Sequence, residues 1–219
     1  YFLIVGFLFF GIVNGQIVNI PDPNFKSKIM QWNAVKDINN SSFVLDANGN
    51  GEVEVSEAHN VFYINLENKY LYDLTGIEHF INTKELRLKF NYLTNLNLTT
   101  LTNLEYLDCY LNTLVTLNIN GLSNLKFLDC NSNDLTSLDL STNVNLEQLK
   151  SSGNNILSLD IQNKLFLTYI NCGGTNPNAI VNLNNLPSLL EVDGFGGNIK
   201  EFTMSGVDNL THLKLKSNN

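Results

Sequence analysis

The chain repeats itself every 21 residues. "LEYLDCYLNTLVTLNINGLSN" from Leu104, "LKFLDCNSNDLTSLDLSTNVN" from Leu125 and "LEQLKSSGNNILSLDIQNKLF" from Leu146 follow one another without a gap. "LTYINCGGTNPNAIVNL" begins at Leu167, and "TKELRLKFNYLTNLNLTTLTN" fits one period earlier from Thr83. "LLEVDGFGGNIKEFTMSGVDN" from Leu189 and "LTHLKLKSNN" from Leu210 rejoin the pattern after one extra residue. One such unit is too short to bury its own apolar face, so neighbouring units must stack and share a core. The expected architecture is a solenoid that makes one coil per repeat.

The types inside the repeat say which side chains point inward. LxxLxL places its second and third Leu on one side of a short strand, because strand side chains alternate. Position six is Leu88, Cys109, Cys130, Ser151 and Cys172, a column of small buried groups. The three cysteines lack an accompanying His or second Cys, so they read as a packed ladder rather than a metal or redox site. Position nine is Asn91, Asn112, Asn133 and Asn154, broken at Thr175 and Gly197. A stacked Asn there satisfies peptide groups that have no strand partner. A second apolar triplet fills the other half of each unit, as in Leu114-Leu117-Ile119 and Leu135-Leu138-Leu140.

Over roughly residues 60 to 219 this pattern resembles the leucine-rich repeat family. It is most similar to the 21-residue bacterial class LxxLxLxxNxLxxLDLxxNxx, whose LDL element matches Leu138-Asp139-Leu140 and Leu159-Asp160-Ile161. The resemblance implies an α/β leucine-rich repeat solenoid, mostly short parallel β-strands with a small helical N-terminal cap, and a partner-binding role. "LYDLTGIEHF" at 71–80 resembles the first coil of internalin-like proteins, and the lead-in resembles secreted leucine-rich repeat proteins of the Bacteroidetes.

Three segments are expected. Residues 1–15 read as a signal peptide: Phe2 to Val13 is an unbroken apolar run, too short to cross a bilayer, and Val13 and Gly15 are small enough for cleavage before Gln16. The alternative is a buried strand or helix. Residues 16–60 read as a cap. "PDPNFKSKIMQW" suits a helix capped by Asp22, with Pro23 in its first turn and Phe25, Ile29 and Trp32 on one face. Residues 61–219 read as the solenoid. The sequence stops inside a repeat. More repeats, and by resemblance a secretion-sorting domain, are expected to follow.

In the cap, "DANGNGEVEVSE" fits D-x-[DN]-x-[DN]-G-x5-E over residues 46–57. Asp46, Asn48 and Asn50 supply oxygens at loop positions one, three and five. Gly51 permits the turn, Glu52 offers its carbonyl, Glu54 sits at nine and Glu57 at twelve. This resembles the loop of EF-hand and dockerin-type modules and implies a structural calcium ion, Ca2+. The competing reading is a hairpin, with "FVLD" and "EVEV" joined through Asn-Gly turns.

Charge and surface pattern bound the function. The net charge of −8 argues against nucleic acid, and no second apolar run suits a membrane span in the mature chain. The x positions of LxxLxL face out on the concave side. There Arg87, Tyr106, Asp108, Tyr110, Phe127, Asp129, Lys150 and Tyr169 form an aromatic and acidic patch of the composition found at contact hot spots. The sequence therefore reads as an exported, non-catalytic module, secreted or at the cell surface, that binds a protein through this face. A glycan-binding adhesin segment or a structural spacer is the alternative. Side-chain stacking along strands would account for the same residues without a ligand. An enzyme is disfavoured. His59, His79 and His212 lie far apart, and Asp108 and Asp129, one strand spacing apart, have no enclosing pocket to raise one pKa as a glycosidase requires.

Overall fold

The structure is a computed structural model and describes residues 15–174, 176, 178–196 and 199–215. The expected signal segment up to residue 14, Thr175 and Gly197 lie outside the described residues.

The apolar periodicity folds as the alternation rule requires. Each LxxLxL forms a three-residue strand whose central residue is buried: β3 (Glu85–Arg87), β5 (Tyr106–Asp108), β7 (Phe127–Asp129), β8 (Gln148–Lys150), β10 (Tyr169–Asn171) and β12 (Glu191–Asp193). With β1 (Val35–Lys36), β2 (Tyr63–Asn65) and β14 (His212–Lys214) they make one nine-stranded sheet. Every pair in it is parallel except β1 with β2. Leu107 pairs with Leu128 and Leu128 with Leu149, so equivalent residues lie directly over one another. The second half of each unit forms the opposite wall: β4 (Asn95–Asn97) with β6 (Thr116–Asn118), and β9 (Ser158–Asp160) with β11 (Ile180–Asn184) and β13 (Glu201–Ser205). Between the walls the Leu, Ile and Val side chains form a continuous core that also includes the cap's Phe25, Ile29 and Val35.

A polar column holds the coils together. The Asn column works as expected. The Asn133 amide donates to the carbonyls of Cys109 and Cys130, both at 3.1 Å, and its oxygen accepts from Leu114 N at 2.9 Å. Asn91, Asn112 and Asn154 repeat this geometry. Each side chain thereby links two coils and leaves few orphaned peptide groups. Cys109, Cys130 and Cys172 are free and buried in the neighbouring column, and burial pushes the Cys172 thiol up to about 12.

The cap differs from expectation at one residue. Helix α1 runs Pro23–Ile29, with Asp22 Oδ1 accepting from Asn24 N at 2.7 Å and Phe25 N at 3.0 Å. Phe25 and Ile29 are buried, but Trp32 is 61% exposed. The helix stops before Trp32, so its ring never reaches the apolar face.

Candidate functional site

The concave sheet gathers the expected residues into a line across four strands. The rings of Tyr106 (β5) and Phe127 (β7) stack with centroids 4.3 Å apart and planes 3° from parallel. On one side the Arg87 guanidinium lies 4.7 Å from the Tyr106 centroid; on the other the Lys150 ammonium lies 5.2 Å from that of Phe127. Cation, ring, ring and cation follow one another because in-register parallel strands bring equivalent side chains one strand spacing apart. Cation–π contacts of this kind contribute roughly 0.5–1 kcal/mol each at exposed sites. Both cations are also paired: Arg87 with Glu85 and, at 3.9 Å, Glu67; Lys150 with Asp129 at 3.5 Å. Tyr110 turns toward the rim and meets Phe90 edge-on, with centroids 5.4 Å apart. Tyr169 is not brought into the stack, since Gln148 of β8 stands between it and Phe127.

The aromatic residues Tyr106, Tyr110, Phe127 and Tyr169 are half-buried on this face. One oxygen of each acid is held by the backbone. Asp108 Oδ1 accepts from Tyr110 N at 3.1 Å, and Asp129 Oδ1 accepts from Asn131 N at 3.1 Å. Asn65, Asn171 and Asp193 do the same for the amide two residues on. A short polar side chain here closes the turn that follows each strand. Burial pushes the Asp108 carboxyl above its usual range, and the Asp129 charge adds to that. The outer wall carries a matching column the sequence reading missed: Asn97, Asn118, Asp139, Asp160 and Asn182. Its signal is the Asx that follows the second apolar residue of each triplet. Also missed is Lys164, buried to 5% exposure, whose ammonium donates to Leu140 O at 2.6 Å. Burial lowers its pKa.

The loop at 46–57 is not a hairpin. "EVEV" does not become a strand of the expected kind; helix α2 (Val55–Ala58) begins at loop position ten. Val53 is buried, its carbonyl accepts from Val18 N at 2.8 Å, and Val55 N donates to Gln16 O at 2.8 Å. Residues 16–18 thus brace the loop from outside. Asn48 and Asn50 both donate their amides to Glu54 Oε1, at 3.1 and 2.7 Å. Asp46 accepts from Asn50 N and Gly51 N, and Glu57 from Ala47 N and Glu54 N. The Glu52 side chain points away, to Lys26 at 2.7 Å. Among the described residues no group of three or more His, Cys, Asp or Glu side chains converges as a metal cluster; the loop relies on Asn oxygens and backbone as well. One observation fits a cation. Glu54 is 3% exposed, and its Oε2 is buried with no hydrogen-bond partner. A buried carboxylate oxygen without a partner is costly, and a metal ion is one way to satisfy it.

No family model matches the chain, and no curated protein matches it. Solved structures do. The internalin InlF of Listeria monocytogenes is 15% identical, with 92% of this chain and 72% of that one covered and a TM-score of 0.56. The internalin C2 of the same organism is 20% identical, covering 92% and 87%, with a TM-score of 0.59. The plant peptide hormone receptor RGFR1, in complex with RGF2, is 17% identical over 70% of this chain and 32% of that one, with a TM-score of 0.51. The fold is the leucine-rich repeat solenoid. At these identities the likeness concerns the fold alone. Among the described residues no helix is long and apolar enough to cross a membrane.

Proposed function

We propose that the chain is an exported, non-catalytic recognition module that binds a protein through the concave sheet, centred on Tyr106 and Phe127. The observation that carries this reading is the stacked ring pair flanked by Arg87 and Lys150. Rigid aromatic and Arg side chains on a flat sheet are what binding hot spots are made of, and they cost little conformational entropy to dock. One oxygen of each acid on the same sheet closes a turn, and Asp129 also pairs with Lys150, which favours a structural role for them. Internalin and receptor structures of the same fold support a binding role by analogy of architecture.

The test uses the full chain with Tyr106, Phe127 and Tyr169 each changed to Ala, screened against a panel of extracellular protein domains. Binding that disappears with Tyr106→Ala and Phe127→Ala supports the module. Binding and surface attachment that survive both changes support the spacer. A glycan array run in parallel tells a protein ligand from a glycan.

The loop at 46–57 is proposed to hold a structural calcium ion. Asp46, Asn48, Asn50, the Glu52 carbonyl, Glu54 and Glu57 would be its donors, and the partnerless Glu54 Oε2 supports the assignment. Binding requires Glu57 to exchange its contacts with the amides of Ala47 and Glu54 for the ion. With a single loop, the ion would brace the cap rather than act as a switch.

A further inference from the structure

A groove opens where the cap meets the first concave strands. The segment leaving helix α1 runs beside β2, and Asn65 N donates to Ala34 O at 2.8 Å. Two adjoining clefts of about 410 and 300 Å³ lie there, and Asn33, Ala34 and Asn65 line both. Lys36 borders the first; Trp32 and Lys69 border the second. Clefts of this size suit small ligands. Trp32 is 61% exposed, so its indole offers a flat apolar face with an N–H donor at the edge. Gln31, Asn33 and Asn65 add exposed side-chain amides, each able to donate and to accept.

Charge selects the ligand. Residues 15 to 115 carry seven Lys and Arg. Lys26, Lys84, Arg87 and Lys89 are ion-paired. Among the described residues of this stretch that leaves three, and two of them, Lys36 and Lys69, line the groove. Lys36 donates only to a neutral acceptor, Asn40 Oδ1, at 2.9 Å. Its neighbour Asp37 accepts instead from Asn39 N and Ser41 N, each at 2.9 Å. The acids on the groove walls are already neutralised, Glu67 by Lys89 at 3.3 Å and Glu85 by Arg87. On a chain of net charge −8, two ammonium groups without a counterion mark a place for an anion. A peptide cannot add here as a strand, because Ser42 already bridges Lys36 on the outer side of β1. We infer that this groove binds an acidic saccharide, a hydroxyl-rich ring bearing carboxylate or sulfate. The C–H face of the ring would lie on Trp32, its hydroxyls on the amides, and its anionic groups at Lys36 and Lys69. The site is separate from the ring stack of Tyr106 and Phe127; Arg87 borders both.

Trp32 is the only tryptophan of the chain, so its fluorescence reports the groove directly. The full chain is applied to an array of uronate, sulfated and neutral glycans, and the acidic glycan retained most strongly is then titrated against Trp32 emission. Acidic glycans should be retained above neutral ones, the emission should shift to saturation, and added salt should weaken binding. Lys36→Gln/Lys69→Gln should weaken it about fivefold or more. Lys36→Arg/Lys69→Arg should keep it, Trp32→Ala should reduce retention on the array, and Tyr106→Ala/Phe127→Ala should bind as before. No acidic glycan retained, neutral glycans retained equally, or unchanged binding by the Lys36→Gln/Lys69→Gln form would overturn the inference. So would an emission that never moves, or loss of binding in the Lys36→Arg/Lys69→Arg form, which would tie the loss to packing rather than charge. A poly-glutamate peptide that binds more tightly than any acidic glycan would make the groove a peptide site and refute the assignment. Binding lost only from the Tyr106→Ala/Phe127→Ala form would place the glycan on the concave stack and refute this site.

Discussion

The Tyr106 and Phe127 rings lie face to face at 4.3 Å, each with a cation over its outer side. They come from residues one period apart, so the 21-residue register alone creates the contact. Both residues are half-buried. Tyr106→Ala and Phe127→Ala are each expected to cost about 1–2 kcal/mol of stability, the loss of a stacked, partly buried ring. Urea unfolding measures this, and both variants should remain folded.

The Asn column is expected to be worth more. Asn133→Ala removes one side chain that serves Cys109 O, Cys130 O and Leu114 N. At roughly 1–3 kcal/mol per buried group left without a partner, a loss of about 3 kcal/mol is expected. Asp139→Ala frees the exposed Ser141 amide, held at 2.9 Å, which water can satisfy, and should cost clearly less. Similar urea midpoints for the two variants would contradict this ranking.

Asp22 joins the cap to the solenoid. One oxygen caps helix α1, and the other accepts from Tyr72 N at 3.2 Å and Asp73 N at 3.1 Å. Its partial burial alone would raise the pKa, but the four backbone amides outweigh that and hold it below the usual carboxylate value. A depressed folded pKa means that the contribution is complete above about pH 4, the unfolded value, and fades as pH falls through the folded value. Asp22→Ala should cost about 1–2 kcal/mol at neutral pH, and the gap between variant and original should close in acid. A gap independent of pH would count against the carboxylate's role.

Calcium should stabilise the cap. With a dissociation constant on the order of 10⁻⁴–10⁻³ M, about 10 mM calcium is expected to add roughly 1.4–2.7 kcal/mol. Chelator should reverse the gain, and Glu57→Gln should abolish it. A melting curve that ignores calcium in the unchanged chain would remove the ion from the account.

The cysteine ladder should be chemically silent. Burial raises all three thiols, that of Cys172 to about 12, so little thiolate exists at neutral pH. Ellman's reagent should find no reactive thiol in the folded chain and three after denaturation. Rapid labelling of the native protein would mean that Cys109, Cys130 or Cys172 is reached by solvent.

The repeat was legible because its constraints recur. The stacking of Leu107, Leu128 and Leu149 and the inward Asn91, Asn112, Asn133 and Asn154 follow from period and residue type. What does not recur was harder to read. Asp108 and Asp129 look alike whether they face a ligand or close a turn, and only the amide two residues later decides. Trp32 keeps helical spacing from Phe25 and Ile29, yet the helix ends at Ile29. Phe90 and Leu111 give no Gly signal at a left-handed turn, because backbone geometry imposed by neighbouring coils overrides local preference. In the loop at 46–57, two Asn-Gly pairs suit a hairpin. The bracing of Val53 and Val55 by residues 16–18 is a tertiary contact that no local pattern announces.

Hydrogen–deuterium exchange of the full chain, with and without a captured protein partner, tests the central claim most directly. Bound partner should slow exchange in the concave strands and their following turns, residues 85–91, 106–112 and 127–133, and leave the outer strands at 95–97 and 116–118 unchanged. Protection confined to the outer strands, with the concave segments exchanging as before, would contradict it.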